Sequence, residues 1–171
     1  MNLKKYIRDI PDFPKPGILF KDITPLLHHP QAFAYSIDQI VQQYSNTPLD
    51  YVCGIESRGF IFASTIAYKL NLGFIPIRKV GKLPGKTQSI QYQLEYGTDE
   101  LQIHEDALQN NDKVLLVDDL LATGGTMYGA CQLVESLGAQ IQGCAFLVEL
   151  AFLSGKEKLK KWPTFSLIEF S

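Results

Sequence analysis

Between residues 31 and 45 the chain sets Phe33, Ile37, Ile40, Val41 and Tyr44 at helical spacing, which predicts an amphipathic helix. Two short apolar runs follow, Tyr51–Ile55 and 73–78, and each reads as a buried strand. Residues 60–70 between them have the length and apolar content of a helix packed beside the first strand. Beyond residue 87 the period changes to two. Ile90, Tyr92, Leu94 and Tyr96 alternate with Gln91, Gln93 and Glu95, and residues 101–104 pair with them as a ribbon wet on one face. Residues 114–117 are continuously apolar, the pattern of a strand covered on both faces. A helix over 126–137 ends at Gly138 as a C-cap, and 143–150 and 165–170 supply two further strands. Pro11, Pro14, Pro16, Pro25 and Pro30 forbid a long helix near the N-terminus. Apolar strands alternating with helices predict an α/β fold with a mainly parallel central sheet flanked by helices. Ligands of such sheets bind at the carboxyl ends of the strands, so chemistry is sought there.

At 171 residues the chain fits one domain, 1–171, with residues up to about 30 as a small segment within it. Lys and Arg number 16 against 18 Asp and Glu, a net charge of −2. That balance argues against nucleic acid as a partner, which calls for a basic excess, while leaving room for a local phosphate pocket. The three cysteines, Cys53, Cys131 and Cys144, form no CxxC pair and sit in apolar runs, where a small buried hydrophobe is the ordinary reading. With no apolar leader and no stretch of 18 apolar residues, the reading is a soluble protein of a reducing cytoplasm, without a membrane partner.

Two apparent motifs fail on spacing. Gly81-Lys-Leu-Pro-Gly-Lys-Thr87 has three residues between its glycines where a nucleotide P-loop has four, and a ribbon follows it instead of a helix. Gly54-Ile-Glu-Ser-Arg-Gly59 places its first glycine one residue too far from the serine for a nucleophile elbow. His28, His29 and His104 then have no nucleophile to serve and read as solvated loop or strand residues. No GxGxxG supports a dinucleotide.

The informative segment is Val114-Leu-Leu-Val-Asp-Asp-Leu-Leu-Ala-Thr-Gly-Gly-Thr126. A buried strand delivers Asp118 and Asp119 to the carboxyl edge of the sheet. The small residues Ala122, Thr123, Gly124, Gly125 and Thr126 leave backbone N–H groups free to wrap an anion, with two hydroxyl donors and a helix N-terminus behind them. Charges ending a strand explain one Asp and one Gly, not this combination. Paired carboxylates beside an anion cup suit a sugar phosphate.

This segment resembles the phosphoribosyl-pyrophosphate signature of the type I phosphoribosyltransferases. The resemblance runs from about residue 11 to the C-terminus and is strongest to the adenine branch of that family. It includes Phe13-Pro-Lys-Pro-Gly-Ile-Leu-Phe20, Glu56-Ser-Arg-Gly-Phe60, Gly81-Lys-Leu-Pro84 and Leu94-Glu-Tyr-Gly97. It implies transfer of a 5-phosphoribosyl group from phosphoribosyl pyrophosphate to adenine, giving AMP and pyrophosphate. It also implies a small N-terminal hood over about 1–30, a flexible β-ribbon loop, Mg²⁺ carried mainly by the substrate and water, and a homodimer.

By the same resemblance Asp118 and Asp119 accept from the ribose hydroxyls, and residues 122–126 bind the 5′-phosphate. Ser57, Arg58 and Gly59 cradle pyrophosphate. Arg78, Lys79 and Lys82 open a loop that closes over the reacting centre and can contribute basic residues across the dimer. Phe20 stacks on the purine, while main-chain groups around Leu19 and Lys21 read its edge; the family usually has Arg where Lys21 stands. Glu95 and Tyr96 belong to the closing loop, with Glu95 the candidate proton acceptor, although alternation alone makes Glu95 a solvent-facing residue.

Two rival readings remain. A 6-oxopurine or xanthine enzyme is disfavoured because relatives acting on hypoxanthine and guanine carry a base-reading Lys where residues 145–149 end in Glu149. A transcriptional regulator on the same fold is disfavoured by the net charge and by the lack of a leading winged-helix segment.

Overall fold

The computed structural model describes residues 1–93 and 97–171. In chain order the elements are β1 Arg8–Ile10, β2 Phe20–Asp22, α1 Thr24–His28, α2 Pro30–Tyr44, β3 Tyr51–Ile55, α3 Gly59–Leu70 and β4 Gly73–Lys79. There follow β5 Thr87–Gln93, β6 Thr98–His104, β7 Lys113–Leu121, α4 Gly125–Ser136, β8 Gln140–Leu150, α5 Gly155–Lys158 and β9 Thr164–Phe170. Single 3₁₀ turns occupy Leu3–Tyr6 and Ala151–Leu153.

Seven strands form the main sheet in the order β5-β6-β4-β3-β7-β8-β9. β3 runs parallel to β4 and β7, and β8 parallel to β7 and β9. The ribbon extends this sheet at one edge, β6 lying antiparallel to both β4 and β5. β1 and β2 make a separate antiparallel pair, an element the prolines hid from the pattern.

The continuous apolar run in β7 is explained by cover on both faces. Val114 and Leu116 join Met127, Cys131 and Val134 of α4, together with Leu101 and Ile103 of the ribbon. Leu115 and Val117 face the other way, against Phe62 and Ile66 of α3 and Ile37 and Ile40 of α2. Each such side chain contributes about 1.5–3 kcal/mol by leaving water. Leu3, Ile23 and Leu26 from the N-terminal segment are buried in the second cluster, so that segment is packed onto the sheet's helical layer.

β7 is longer than the pattern suggested. Its apolar run stops at Val117, yet the strand continues to Leu121 because β8 goes on pairing with it, Asp118 opposite Phe146 and Leu120 opposite Val148. Pairing with β3 ends at Gly54 opposite Val117. The two aspartates therefore sit in regular strand just past the end of their neighbour, where a crevice opens. His29 is another revision: its Nδ1 accepts from the Ala32 amide at 3.3 Å and caps α2, ahead of Pro30 at the first helical position.

All three cysteines are free and buried, as their apolar contexts predicted. Burial pushes the Cys53 thiol far above its ordinary range; Cys131 is pushed up by its contact with Cys144, Sγ to Sγ 3.5 Å, and then by burial. Folded protein is accordingly expected to resist a thiol reagent at mildly alkaline pH and to take up label only in denaturant. Rapid labelling of any cysteine in the native state would contradict this packing.

Candidate active site

Past the carboxyl ends of β3 and β7 lies a cleft of about 480 Å³, lined among others by Ser57, Arg58, Lys79, Asp118, Asp119, Ala122 and Thr126. Arg58 is placed by the turn between β3 and α3, and its Nε lies 2.7 Å from Asp119 Oδ2. That carboxylate is nearly buried, its side chain 8% exposed, and Oδ2 has no aligned hydrogen-bond donor among the described residues. Asp118 is bound locally: its Oδ1 accepts from the Asp119 amide at 2.9 Å. Gly59 is the reason the pair fits. A Cβ there would lie 2.7 Å from Asp118 Oδ1 and 3.2 Å from the Val117 carbonyl oxygen.

The two carboxylates depend on each other. Burial, then the neighbouring charge of Asp119, pushes Asp118 well above the ordinary carboxylate range. Burial raises Asp119 as well, against the pull of the Arg58 guanidinium. Two carboxylates thus line one cleft with a single cation in contact, Arg58 on Asp119. The pair has surplus acceptor capacity for hydroxyl donors.

Beside the pair, residues 120–127 with Asp118 and Phe146 enclose a smaller cup of about 70 Å³. Gly124 is left-handed at φ +80°, and α4 begins at Gly125 with no side chain capping its first turn. The unpaired N–H groups of that turn are therefore available to an anion. Gly155, which no sequence motif had marked, packs its backbone against the same loop: a Cβ on it would lie 2.2 Å from the Ala122 carbonyl oxygen.

β4 delivers its cations onto carboxylates to which the sequence reading gave no role. Arg78 Nε meets Glu56 Oε2 at 2.6 Å, and its guanidinium donates to the Lys82 carbonyl at 3.2 Å. Lys79 Nζ lies 2.8 Å from Asp99 Oδ2, which also accepts from the Tyr92 hydroxyl at 3.3 Å. Tyr92 and Asp99 stand opposite each other in the ribbon, a pairing visible only once the register is known. Lys82 is exposed and does not line the cleft.

From the N-terminal segment, Phe20 reaches the site: Arg58 Cζ is 5.3 Å from its ring centroid, and Phe13 meets it edge-on at 5.1 Å. The Lys21 side chain turns the other way, its Nζ 2.7 Å from Asp9 and 4.2 Å from the Phe170 ring centroid. Only the main chain of Lys21 is thus left to face a ligand. Leu19 is half exposed and lines a separate cleft of about 570 Å³ with Ile18, Leu150 and Phe152. Glu149 is buried, ion-paired with Lys156 at 2.5 Å, and does not line the main cleft. Glu95 and Tyr96 lie outside the described residues.

Paired carboxylates and an anion cup at the carboxyl ends of parallel strands have the chemistry to hold a sugar phosphate. Residues 23–170 match the family model described as "Phosphoribosyl transferase domain", and the chain belongs to that family. The relatives it resembles are adenine phosphoribosyltransferases. That of Chloroflexus aurantiacus is 56% identical, with 99% of this chain and 98% of the relative aligned. The crystal structure from Thermoanaerobacter pseudethanolicus superposes with a TM-score of 0.96 at 51% identity, covering 98% of each chain. The Saccharomyces cerevisiae enzyme, complexed with an imino-altritol bisphosphate and adenine, gives 0.90 at 41% identity over 96% of each.

Proposed function

We propose that this chain transfers the 5-phosphoribosyl group of phosphoribosyl pyrophosphate to adenine, releasing AMP and pyrophosphate. The observation that carries the reading is the Asp118–Asp119 pair beside the 122–126 cup, in a chain that matches adenine phosphoribosyltransferases over nearly its whole length.

The cup takes the 5′-phosphate on the backbone N–H groups of 123–126 and the hydroxyls of Thr123 and Thr126. Asp118 and Asp119 accept from the two ribose hydroxyls, with Arg58 held against Asp119 Oδ2. Ser57, Arg58 and Gly59 hold the pyrophosphate, with Lys79 lining the same cleft and Arg78 and Lys82 opening the loop that closes over it. Phe20 covers one face of the purine, and the main chain around Leu19 and Lys21 reads its edge.

As the C1–O bond breaks, negative charge grows on the leaving diphosphate, where fixed cations stabilise it most. Mg²⁺ keeps several waters and binds substrate phosphate oxygens, so it would ride mainly on phosphoribosyl pyrophosphate and water. Mg²⁺ supplies further neutralisation of the diphosphate when bound. Glu95, beside Tyr96, is assigned as acceptor of the purine proton. We read the enzyme as a cytoplasmic homodimer; Ile61 and Tyr68, exposed on α3, offer apolar surface for a second copy.

A panel of bases with phosphoribosyl pyrophosphate and Mg²⁺ tests the assignment. Adenine is expected to turn over at least roughly tens of times better than hypoxanthine or guanine, because a mismatched base leaves buried polar groups unpaired. Comparable turnover of hypoxanthine would overturn it.

A further inference from the structure

The loop of residues 122–124 and residue 155 meet backbone to backbone without a side chain between them. A Cβ at Gly155 would lie 2.2 Å from the Ala122 carbonyl oxygen and 3.1 Å from the Gly124 amide nitrogen. The contact is reciprocal, since a Cβ at Gly124 would lie 2.6 Å from the Gly155 carbonyl oxygen. Ser154, at φ +53°, turns the chain into this contact. Backbone laid on backbone has few atoms to grip with, so something else must locate residue 155.

The next residue does so. Lys156 Nζ lies 2.5 Å from Glu149 Oε2, and Glu149 is 3% exposed near the end of β8. That oxygen has no aligned hydrogen-bond donor among the described residues, so the buried charge is answered mainly by the lysine. Glu149 stands in register with Leu121 of β7, the residue immediately before the cup, and with Glu169 of β9. Glu169 itself is 3.9 Å from the lysine, a weaker second anchor. The lysine side chain is 42% exposed, so solvent screens the pair and it gains little stability; its consequence here is orientation.

We infer that Glu149 and Lys156 form a clamp that presses Gly155 against the phosphate loop and so fixes the direction of its N–H donors. Neither touches substrate; both are positioning residues. The inference rests on the assignment of residues 122–126 to the 5′-phosphate made above. It also gives Glu149 a task apart from base choice.

The test measures binding of ribose 5-phosphate and of pyrophosphate separately, alongside KM for each substrate, in Lys156→Gln, Glu149→Gln and Lys156→Arg. Loosening the cup is expected to raise the ribose 5-phosphate Kd and the KM for phosphoribosyl pyrophosphate about ten-fold, a loss of positioning. Pyrophosphate affinity and the KM for adenine should stay within about two-fold, and Lys156→Arg should restore most of the loss. If Lys156→Gln does not fold, the uncharged double variant Glu149→Gln/Lys156→Met carries the same comparison. A lowered Tm with unchanged ribose 5-phosphate affinity, or equal losses for every ligand, would overturn the clamp. Wild-type protein that binds ribose 5-phosphate but does not use adenine would overturn the proposed reaction and leave the clamp standing.

Discussion

Asp118→Asn should yield a protein at least as stable as the wild type and far less active. Burial and the Asp119 charge together hold the Asp118 pKa well above its unfolded value of 3.8. A carboxyl raised in this way binds more protons folded than unfolded. The contribution of Asp118 to stability therefore falls as pH rises from 3.8 through its folded value, and that deficit persists at neutral pH. Asn carries no charge, so denaturant midpoints measured across the acid-to-neutral range should lose this contribution and fall less with rising pH than those of the wild type. Activity moves the other way. A hydrogen bond from a ribose hydroxyl to a carboxylate is worth about 1.5–3 kcal/mol, so losing its charge should lower kcat/KM for phosphoribosyl pyrophosphate about 10- to 100-fold. Asp119→Asn should lose activity similarly but stabilise less, because it also abandons the 2.7 Å ion pair with Arg58. Wild-type kcat/KM in either variant would remove that residue from the ribose site.

The strands and helices of the sheet layer were legible because their burial is two-sided or strictly periodic. Val114 to Val117 alternate between two cores, and residues 31–45 present one apolar stripe. β1, β2 and α1 were not legible, since proline punctuation says where a helix cannot be and not what forms instead. The end of β7 was misplaced because composition alone equates a pair of aspartates with a strand end. Hydrogen bonding to β8, which decides the matter, is not a local property.

The site divides along the same line. Residues sharing one local segment, Asp118 to Thr126 and Ser57 to Gly59, could be grouped by the chemistry they hold in common. Partners brought in from distant segments could not. Glu56 under Arg78, Asp99 under Lys79 and Gly155 behind Ala122 are each ordinary in sequence and acquire meaning only through contact. Lys21 illustrates the converse: its position was marked, but the Phe170 ring and Asp9 draw its side chain out of the site.

Gly124→Ala should be among the most damaging single-methyl changes in the chain. Its backbone is left-handed at φ +80°, which costs an L-residue about 1–2 kcal/mol. The added methyl would also lie 2.6 Å from the Gly155 carbonyl oxygen, and backbone, unlike a flexible side chain, has little room to yield. Either the loop moves off α5 or α5 moves off the loop. Both outcomes turn the N–H donors of residues 123–126 away from a fixed phosphate, and a displacement of about 1 Å is enough to cost roughly 100-fold in rate. The expected result is a lowered Tm together with a loss of about 100-fold in kcat/KM for phosphoribosyl pyrophosphate. Gly85→Ala supplies the control, because that glycine is also left-handed, at φ +80°, has open space where the methyl would go, and lines neither the cleft nor the cup. It should show a comparable backbone cost in Tm without the same loss of substrate affinity. Equal kinetic losses in the two variants would mean that backbone strain alone, and not the contact between Gly124 and Gly155, governs the cup.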